Sequence, residues 1–197
     1  MKKRYLRLTA TLLFLVLVGC GGGSSSSSSI SSNVTSILAI GDSIGAGFGG
    51  TTPWSSLVAA GTGVPVVNDS DNGRQATQSA SLVRAQIAAI EPSHLIIMLG
   101  TNDAINDNAS ESVEAMQQIV AESQAAGVIV IVGTLPPLPF EGRENIALQI
   151  SAGYRTLGVP IAEVEGAFGG NTDLIFDGIH PVNEGQQLIA DAFISQL

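Results

Sequence analysis

The sequence contains a single cysteine, Cys20, so no disulfide can form within the chain. Aromatic residues make up 5% of the chain, and no lysine occurs after Lys3. Beyond residue 19, four arginines stand against seventeen acidic residues, which gives a net charge of −13. A surface of this sign repels phosphate backbones, and it offers few rings for base stacking. Composition therefore argues against nucleic-acid binding, and two histidines with one cysteine provide no ligand cluster for a metal.

The first nineteen residues have the composition of an export signal. Four basic residues accompany an apolar run, Leu12–Val18, that is too short to cross a bilayer as a helix. Gly19-Cys20 resembles the end of a bacterial lipoprotein signal, after which the cysteine becomes the lipid-carrying first residue. Two or more acyl chains on Cys20 would anchor the protein stably. The alternative is that Cys20 is an ordinary residue beside a conventional cleavage site.

Residues 20–33 consist mainly of glycine and serine, a composition that behaves as a flexible tether because it buries no apolar surface. We therefore expect a signal peptide at 1–19, a tether with a lipidated Cys20 at 20–33, and a folded domain at 34–197. The expected location is the bacterial cell envelope, at the periplasmic face or the outer membrane. The membrane is then a partner through the lipid alone.

Within residues 34–197, short apolar runs alternate with longer stretches of helical periodicity. The predicted strands are 36–40, 64–67, 95–99, 128–132 and 159–162. The predicted helices are 54–60, 79–90, 110–126, 144–157 and 183–196. Unbroken apolar runs are typical of parallel strands that helices bury on both faces. The pattern predicts an α/β domain of three layers around a five-stranded parallel sheet.

In such sheets, ligands bind beyond the carboxyl ends of the strands, where the winding direction reverses between the first and third strands. The first predicted strand leads into Gly41-Asp42-Ser43, and the third leads into Gly100-Thr101-Asn102-Asp103. Because both segments are polar, we expect the functional site there.

Residues 41–45 match the G-x-S-x-G pattern, in which a tight turn presents the hydroxyl of Ser43. Only one short strand precedes this serine, which argues against the ordinary α/β-hydrolase fold. The alternative is a glycine-rich turn whose serine caps the next helix.

Residues 45–50 also fit the dinucleotide-binding pattern G-x-G-x-x-G, and Asp69 lies about twenty residues further on. That pattern needs a helix directly after the glycines, whereas Thr51-Thr52-Pro53 intervenes here. Nucleotide binding is therefore kept only as a rival interpretation.

The end of the chain carries a carboxylate three residues before a histidine, in Asp177-Gly178-Ile179-His180. An imidazole can take the proton of a serine hydroxyl near neutral pH. A carboxylate on its other nitrogen fixes the tautomer and stabilises the imidazolium. Ser43, His180 and Asp177 are therefore the candidate nucleophile, general base and orienting acid. The alternative for His180 is that it caps the last helix.

From about residue 36 to the end, the sequence resembles the SGNH or GDSL-type hydrolases. Three of the family's blocks are matched in order, by residues 41–43, 100–103 and 177–180. The resemblance implies a flavodoxin-like α/β/α sandwich and a serine ester hydrolase that uses no cofactor. It also implies an oxyanion hole made by the Ser43 backbone N–H and the Asn102 side-chain amide.

The family's second block is matched less closely. Residues 68–73 fit its Asn-x-x-x-x-Gly pattern, but about one residue more than usual separates Gly73 from Thr77. Gly73 is the candidate for a further backbone donor to the oxyanion, and the alternative is a simple turn glycine. Residues 135–140, an apolar loop rich in proline, either cover the core or line an acyl pocket.

Length and block spacing are most similar to the small periplasmic thioesterase, lysophospholipase and arylesterase branch of that family. This likeness predicts hydrolysis of acyl esters, thioesters or lysophospholipids through an acyl-enzyme on Ser43, with a monomer as the simplest assembly. Carbohydrate O-deacetylation within the same family is one alternative. A non-catalytic envelope module that binds glycan or lipid is another.

Overall fold

The computed structural model describes residues 34–197, and within them the five predicted apolar runs form one parallel sheet. The strands are β1 (Ile37–Gly41), β2 (Val66–Ser70), β3 (His94–Met98), β4 (Ile129–Gly133) and β5 (Ile161–Ala162). Their order is β2-β1-β3-β4-β5, and every neighbouring pair is parallel. This confirms the predicted α/β fold, with the flavodoxin-like strand order and its reversal of winding between β1 and β3.

Helices connect the strands and cover the sheet. The α-helices of the described residues are α1 (Ser43–Ala46), α2 (Trp54–Thr62), α3 (Ala80–Ile90), α4 (Thr101–Ile105), α5 (Ala109–Ala125), α6 (Glu144–Tyr154), α7 (Val164–Phe168) and α8 (Asn183–Ile194). Three of them, α1, α4 and α7, were not predicted. Each has four or five residues, which is too short for a 3.6-residue periodicity to appear in the sequence.

The long helices pack in two groups, which form the outer layers of the sandwich. Helices α2 and α8 pack together with α7 beside them, and α3, α5 and α6 form the other group. The Trp54 ring of α2 stacks on Phe193 of α8, with ring centroids 4.7 Å apart. Both side chains are buried, so this contact joins the two helices on one side of the sheet.

Strands β1 and β3 are buried along their whole length, as the apolar runs predicted. Strand β2 contradicts the prediction of a strand buried on both faces. It begins two residues later than expected, and Val67 within it is 46% exposed. The reason is its place at the edge of the sheet, where β1 is its only neighbour and part of its surface stays in water.

Among residues 34–197, none of the helices combines the length and the apolar character that a membrane span requires.

Candidate active site

Ser43 is the first residue of α1, directly beyond the carboxyl end of β1. The cap of this helix is Asp42, whose Oδ1 accepts a hydrogen bond from the Ile44 N–H at 2.9 Å. A side-chain oxygen at this position satisfies an amide that the helix leaves without a partner. Because Asp42 supplies the cap, the Ser43 hydroxyl is left to make a different contact. The interpretation of Ser43 as a helix cap is therefore wrong.

The two glycines of the G-x-S-x-G pattern allow β2 to approach the serine turn closely. A Cβ on Gly41 would lie 2.8 Å from Ser70 Oγ, and a Cβ on Gly45 would lie 2.4 Å from the same atom. The Asn68 side-chain amide also donates to the Gly45 carbonyl at 3.1 Å. A side chain at either position would collide with Ser70, so the close packing of β2 explains why both residues are glycine.

The dinucleotide alternative lacks the helix that it requires. After α1 the chain forms a 3-10 turn at Phe48–Gly50, and α2 begins only at Trp54. The glycines of the pattern therefore do not lead directly into a helix N-terminus that could face a pyrophosphate.

His180 lies in a tight turn that Asp177 organises. Asp177 Oδ1 accepts the backbone N–H of His180 at 2.8 Å and that of Ile179 at 3.0 Å, and Oδ2 lies 2.6 Å from His180 Nδ1. An antiparallel bridge between Ile175 and Pro181 closes this turn. Helix α8 starts at Asn183 with Val182 at its N-cap, so His180 does not cap it.

The turn brings His180 Nε2 to 2.9 Å from Ser43 Oγ, although 137 positions separate the two residues. Ser43 and His180 are each 9% exposed. With Asp177 accepting the proton of Nδ1, Nε2 is the nitrogen that can accept the serine proton. The structure therefore joins the three predicted residues Ser43, His180 and Asp177 in one hydrogen-bonded chain.

Asp177 is held in its ionised form. Burial raises the pKa of its carboxyl, but the hydrogen bonds from His180 and from the Ile179 N–H together outweigh that effect and lower the pKa below its usual value. An ionised carboxylate here fixes the imidazole tautomer and would stabilise an imidazolium.

Asn102 lies in α4, the helix that follows β3, and β3 is the neighbour of β1 in the sheet. The side chain is half-buried. Its side-chain Nδ2 donates to the Arg74 carbonyl at 3.1 Å and lies 3.4 Å from Asp42 Oδ2. The amide thus sits between the serine turn and the loop that contains Gly73. An oxyanion at Ser43 would have to share or replace one of these acceptors, and the role of Asn102 stays a prediction.

Gly73 adopts a φ of +75° in an exposed turn, where the Arg74 N–H bonds to the Asp71 carbonyl. This conformation is that of a turn glycine, which was the alternative interpretation. Its predicted part in the oxyanion hole stays a prediction.

Two charged residues fix this loop beside Asn102: Asp103 of the block at residues 100–103, and Arg74, to which sequence reasoning assigned no role. The Arg74 guanidinium pairs with Asp69 Oδ1 at 3.1 Å and also donates to the carbonyls of Asp69 and Gly41. Asp103 is fully buried and accepts the N–H groups of Ala76 at 2.8 Å and Thr77 at 3.2 Å. The available signal was that Arg74 is one of only four arginines beyond residue 19 and directly follows the Asn-x-x-x-x-Gly pattern of residues 68–73.

Gln186 is a second residue that the sequence analysis missed. It is 1% exposed, and its Nε2 donates to the Ile44 carbonyl at 2.9 Å and to Thr51 Oγ1 at 3.2 Å. Its Oε1 accepts the Trp54 N–H at 3.0 Å. One side chain of α8 therefore braces both α1 and the start of α2. The signal was a polar residue on the apolar stripe that Ile189, Ala190 and Phe193 continue at helical spacing.

The carboxyl of Asp42, next to Ser43, is 1% exposed. Burial raises its pKa to about 7, against the opposing effect of the Ile44 N–H that donates to it. This carboxyl consequently changes charge near neutral pH, beside the serine turn.

The proline-rich loop covers the core, since Leu135 and Leu138 in it are almost fully buried. It also borders an apolar cavity of about 220 Å³ between α6 and α7, whose lining does not include Ser43, Asp177 or His180. Among the described residues, the loop reaches the site at its far end, where Phe140 lies 3.5 Å from the position of a Cβ on Gly178. Its part as an acyl pocket stays a prediction. The predicted lipidation of Cys20 lies outside the described residues.

A hydrogen-bonded serine, histidine and aspartate at the carboxyl edge of a parallel α/β sheet is the arrangement found in serine hydrolases. The chain belongs to the GDSL-like lipase/acylhydrolase family, whose pattern matches residues 39–188. It is a carboxylic ester hydrolase. No curated protein sequence matches the chain.

Solved structures with the same fold include several esterases. A catalytic mutant of an acetylxylan esterase from Geobacillus stearothermophilus superposes with a TM-score of 0.73 at 18% identity, covering 82% of this chain and 93% of its own. A member of the lipolytic G-D-S-L family from Veillonella parvula gives 0.71 at 16% identity, covering 82% and 97%. A psychrotrophic esterase from a Pseudoalteromonas species gives 0.66 at 21% identity, covering 82% and 96%. At these identities the likeness establishes the shared fold.

Proposed function

We propose that the protein hydrolyses carboxylic esters through an acyl-enzyme on Ser43, with His180 as general base and Asp177 as its orienting acid. The observation that supports this proposal is the pair of contacts on one imidazole, 2.9 Å from Nε2 to Ser43 Oγ and 2.6 Å from Nδ1 to Asp177 Oδ2. Both lie within the hydrogen-bond reach that proton transfer requires.

In the first half of the reaction, Ser43 Oγ forms a bond to the ester carbonyl carbon while its proton passes to His180 Nε2. The tetrahedral intermediate then breaks its bond to the alcohol oxygen, which takes that proton and leaves. In the second half, His180 deprotonates a water molecule, whose oxygen attacks the acyl-enzyme. The bond to Ser43 Oγ breaks, the serine recovers the proton, and the carboxylic acid departs.

The oxyanion of both intermediates needs donors close to Ser43. The Ser43 backbone N–H lies in the first turn of α1, where a helix leaves its amides without an internal partner. The Asn102 amide is the second proposed donor and Gly73 the third. Arg74 and Asp103 support this arrangement because they hold the segment from Asp69 to Thr77 against the serine turn and α4.

The substrates that we propose are acyl esters, thioesters or lysophospholipids. A specific observation also favours the alternative of carbohydrate O-deacetylation. A polar groove borders the turn Ala76–Gln78, and its lining does not include Ser43, Asp177 or His180. It contains four side-chain amides and two carboxylates: Gln75, Gln78, Asn108, Gln118, Glu111 and Glu114. Amide side chains suit the hydroxyl groups of a sugar because they both donate and accept hydrogen bonds.

A fluorophosphonate probe tests the nucleophile, and a substrate panel tests the class. We expect the probe to label the protein at Ser43, and the variant Ser43→Ala to lose both labelling and turnover. Matched variants at Ser55 and Ser79, two buried serines elsewhere, should keep both properties. Labelling that persists in Ser43→Ala would show that the nucleophile is assigned wrongly.

Acyl esters of rising chain length, assayed beside an acetylated sugar, separate the two substrate classes. A fold that only binds glycan or lipid would show neither labelling nor turnover.

We further propose that the chain is exported and anchored to the cell envelope through lipid on Cys20. The support is the order of basic, apolar and Gly-Cys residues within positions 1–20. Incorporation of a labelled fatty acid into the full chain, but not into Cys20→Ser, is the expected result. Equal incorporation into both proteins would contradict the proposal.

A further inference from the structure

Two phenylalanine rings lie beside the imidazole of His180. The Phe48 ring stacks on it with centroids 4.1 Å apart and an interplanar angle of 23°. The Phe176 ring lies 5.9 Å away at an angle of 28°. Both rings are nevertheless about half exposed, at 45% for Phe48 and 49% for Phe176. The candidate base thus stands among apolar surface that still faces water.

The backbone holds both rings at this position. The Phe176 N–H donates to the His180 carbonyl at 3.0 Å, within the same turn that carries Asp177. Phe48 follows the serine helix α1 and opens the 3-10 turn Phe48–Gly50. A Cβ on Gly49 would lie 2.7 Å from Phe176 Cζ, so only glycine lets Phe176 approach this turn so closely. The rings therefore come from the two segments that carry Ser43 and His180.

Exposed phenyl surface is unfavourable, since each Å² of apolar area left in water forgoes about 25 cal/mol. The other large hydrophobic side chains of residues 34–197 that are this exposed, Val67, Ile129 and Leu148, come from three different elements. Two rings gathered at one reactive group indicate a binding surface.

The chemistry specifies which part of a substrate meets that surface. His180 Nε2 must deliver its proton to the oxygen of the departing alcohol, so that oxygen comes within hydrogen-bond distance of the imidazole. The group attached to the oxygen then lies beside the imidazole and contacts whatever surrounds it. In this structure Phe48 and Phe176 occupy that place.

We propose that Phe48 and Phe176 form a leaving-group subsite that selects esters whose alcohol carries a ring, aromatic or pyranose, over esters of small aliphatic alcohols. The inference rests on the proposed roles of Ser43 and His180. An aromatic ring can pack on the exposed phenyl rings offset or edge-on, and a pyranose can bury the apolar C–H face of its ring against them.

Phe176 and Phe48 contribute differently. Phe48 touches the imidazole face directly, so it also positions the base, and its loss should lower kcat for every ester. Phe176 lies further from the imidazole and acts through contact with the substrate. Its loss should raise KM for esters of ring-bearing alcohols much more than it changes the kinetics on ethyl esters.

The test compares three acetates with the same acyl group: benzyl acetate, an acetylated methyl pyranoside and ethyl acetate. For Phe176→Ala we expect kcat/KM to fall about three- to tenfold on the ring-bearing esters and less than about twofold on ethyl acetate. Phe176→Tyr, which keeps the ring, should restore wild-type ratios. The two ring esters differ in kind, so the one that responds more identifies the aromatic or the sugar source.

A matched control is Ile129→Ala, because Ile129 is 42% exposed and lies at the amino end of β4, away from the site. All its ratios should match the wild type. Equal losses on the three acetates in Phe176→Ala, in a protein whose Ser43 is still labelled by a fluorophosphonate, would overturn the subsite while the proposed mechanism stands. A wild-type protein without labelling or turnover would overturn the mechanism and the subsite together.

Discussion

The two histidines of the described chain are both buried, yet they lie at opposite ends of the same sheet. His180 lies at the carboxyl end, where Asp177 contacts one ring nitrogen and Ser43 the other. His94 is the first residue of β3, at the amino end, where Ser93 Oγ lies 3.0 Å from Nδ1. Its Nε2 is buried and has no hydrogen-bond partner among residues 34–197. Because both imidazoles are buried, burial does not distinguish the candidate base from His94. The hydrogen-bond partners of its two ring nitrogens do.

The same contrast holds for the two ends of the sheet. At the carboxyl end, loops after β1, β2 and β3 converge, and they bring Asp42, Asn102 and Arg74 together. At the amino end, Ser36 and Ser93 join the starts of β1 and β3 by hydrogen bonds of 3.1 and 2.7 Å. Parallel strands all end at one edge, so residues that directly follow strands become neighbours there. A functional group at that edge has partners from several segments.

The largest expected effect separates the two histidines. His180→Ala should lower kcat by about 10⁴ or more, because the serine loses the group that takes its proton. His94→Leu should keep kcat within about twofold of the wild-type value, since His94 contacts nothing at the carboxyl end of the sheet. Steady-state kinetics on a soluble ester measure both. A similar loss of kcat in the two folded variants would end the distinction between the two sheet ends.

A second prediction compares two asparagines of the site edge. Asn102→Ala should reduce kcat by about 10²–10³, the usual cost of losing one oxyanion donor. Asn106→Ala is the control, since Asn106 follows α4, is exposed and donates to the Asn102 carbonyl at 2.7 Å. It should keep kcat within about threefold. An unchanged kcat in Asn102→Ala would remove Asn102 from the oxyanion hole.

The third prediction concerns the brace from α8. Gln186→Leu leaves the Trp54 N–H without its partner and leaves the Ile44 carbonyl with only the Gly47 N–H at 3.3 Å. It should lower the free energy of unfolding by about 2–4 kcal/mol. It should also lower kcat by about tenfold, because the serine turn loses its support. Gln187→Leu, at the exposed neighbouring position where the side chain bonds only to Asp191, should change neither quantity. Urea unfolding and kinetics of both variants decide whether the brace matters.

The smallest effects are opposite pH dependences of stability at the two ends. Burial raises the pKa of Asp42 to about 7, so its stabilising contribution is complete below its ordinary value near 3.8 and is lost as pH rises through 7. Burial lowers the pKa of His94 below its ordinary value of 6.5, so its contribution is complete above 6.5 and is lost as pH falls.

Urea unfolding between pH 4 and 8 measures the two dependences. Relative to wild type, Asp42→Asn should gain unfolding free energy as pH rises, and His94→Leu should gain it as pH falls. The same slope in both variants would contradict the assignment of these carboxyl and imidazole groups to the measured dependence.

Much of the fold could be predicted because the signals for it are local. Buried strands such as β1 and β3 show as unbroken apolar runs, and their observed ends differ by one residue from the prediction. The edge strand β2 was predicted less well, because a strand with one neighbour is only partly buried and its sequence mixes apolar with polar residues. Val67 in it is exposed, and its last residues are polar. The short helices α1, α4 and α7 left no periodic signal at all.

The residues of the site were predictable as far as each belongs to a short motif. Each of four site residues belongs to a motif of at most five consecutive positions: Ser43 to residues 41–45, Asn102 to 100–103, and Asp177 and His180 to 177–180. Arg74, Gln186 and Phe176 were missed because their contacts reach other segments of the chain: Gly41 for Arg74, Ile44 for Gln186 and Gly49 for Phe176. Such contacts depend on how the helices and loops pack around the sheet.

By itself the sequence determined the α/β class, the order of the strands and the long helices, and the two turns that present a serine and a histidine. These features follow from hydrophobic periodicity and backbone conformation, which neighbouring residues encode. Only the tertiary structure decided that Ser43 and His180 meet at 2.9 Å across 137 positions, with Phe48 and Phe176 around the imidazole. The physical reason is that the distance between remote side chains is fixed by the close packing of every layer between them.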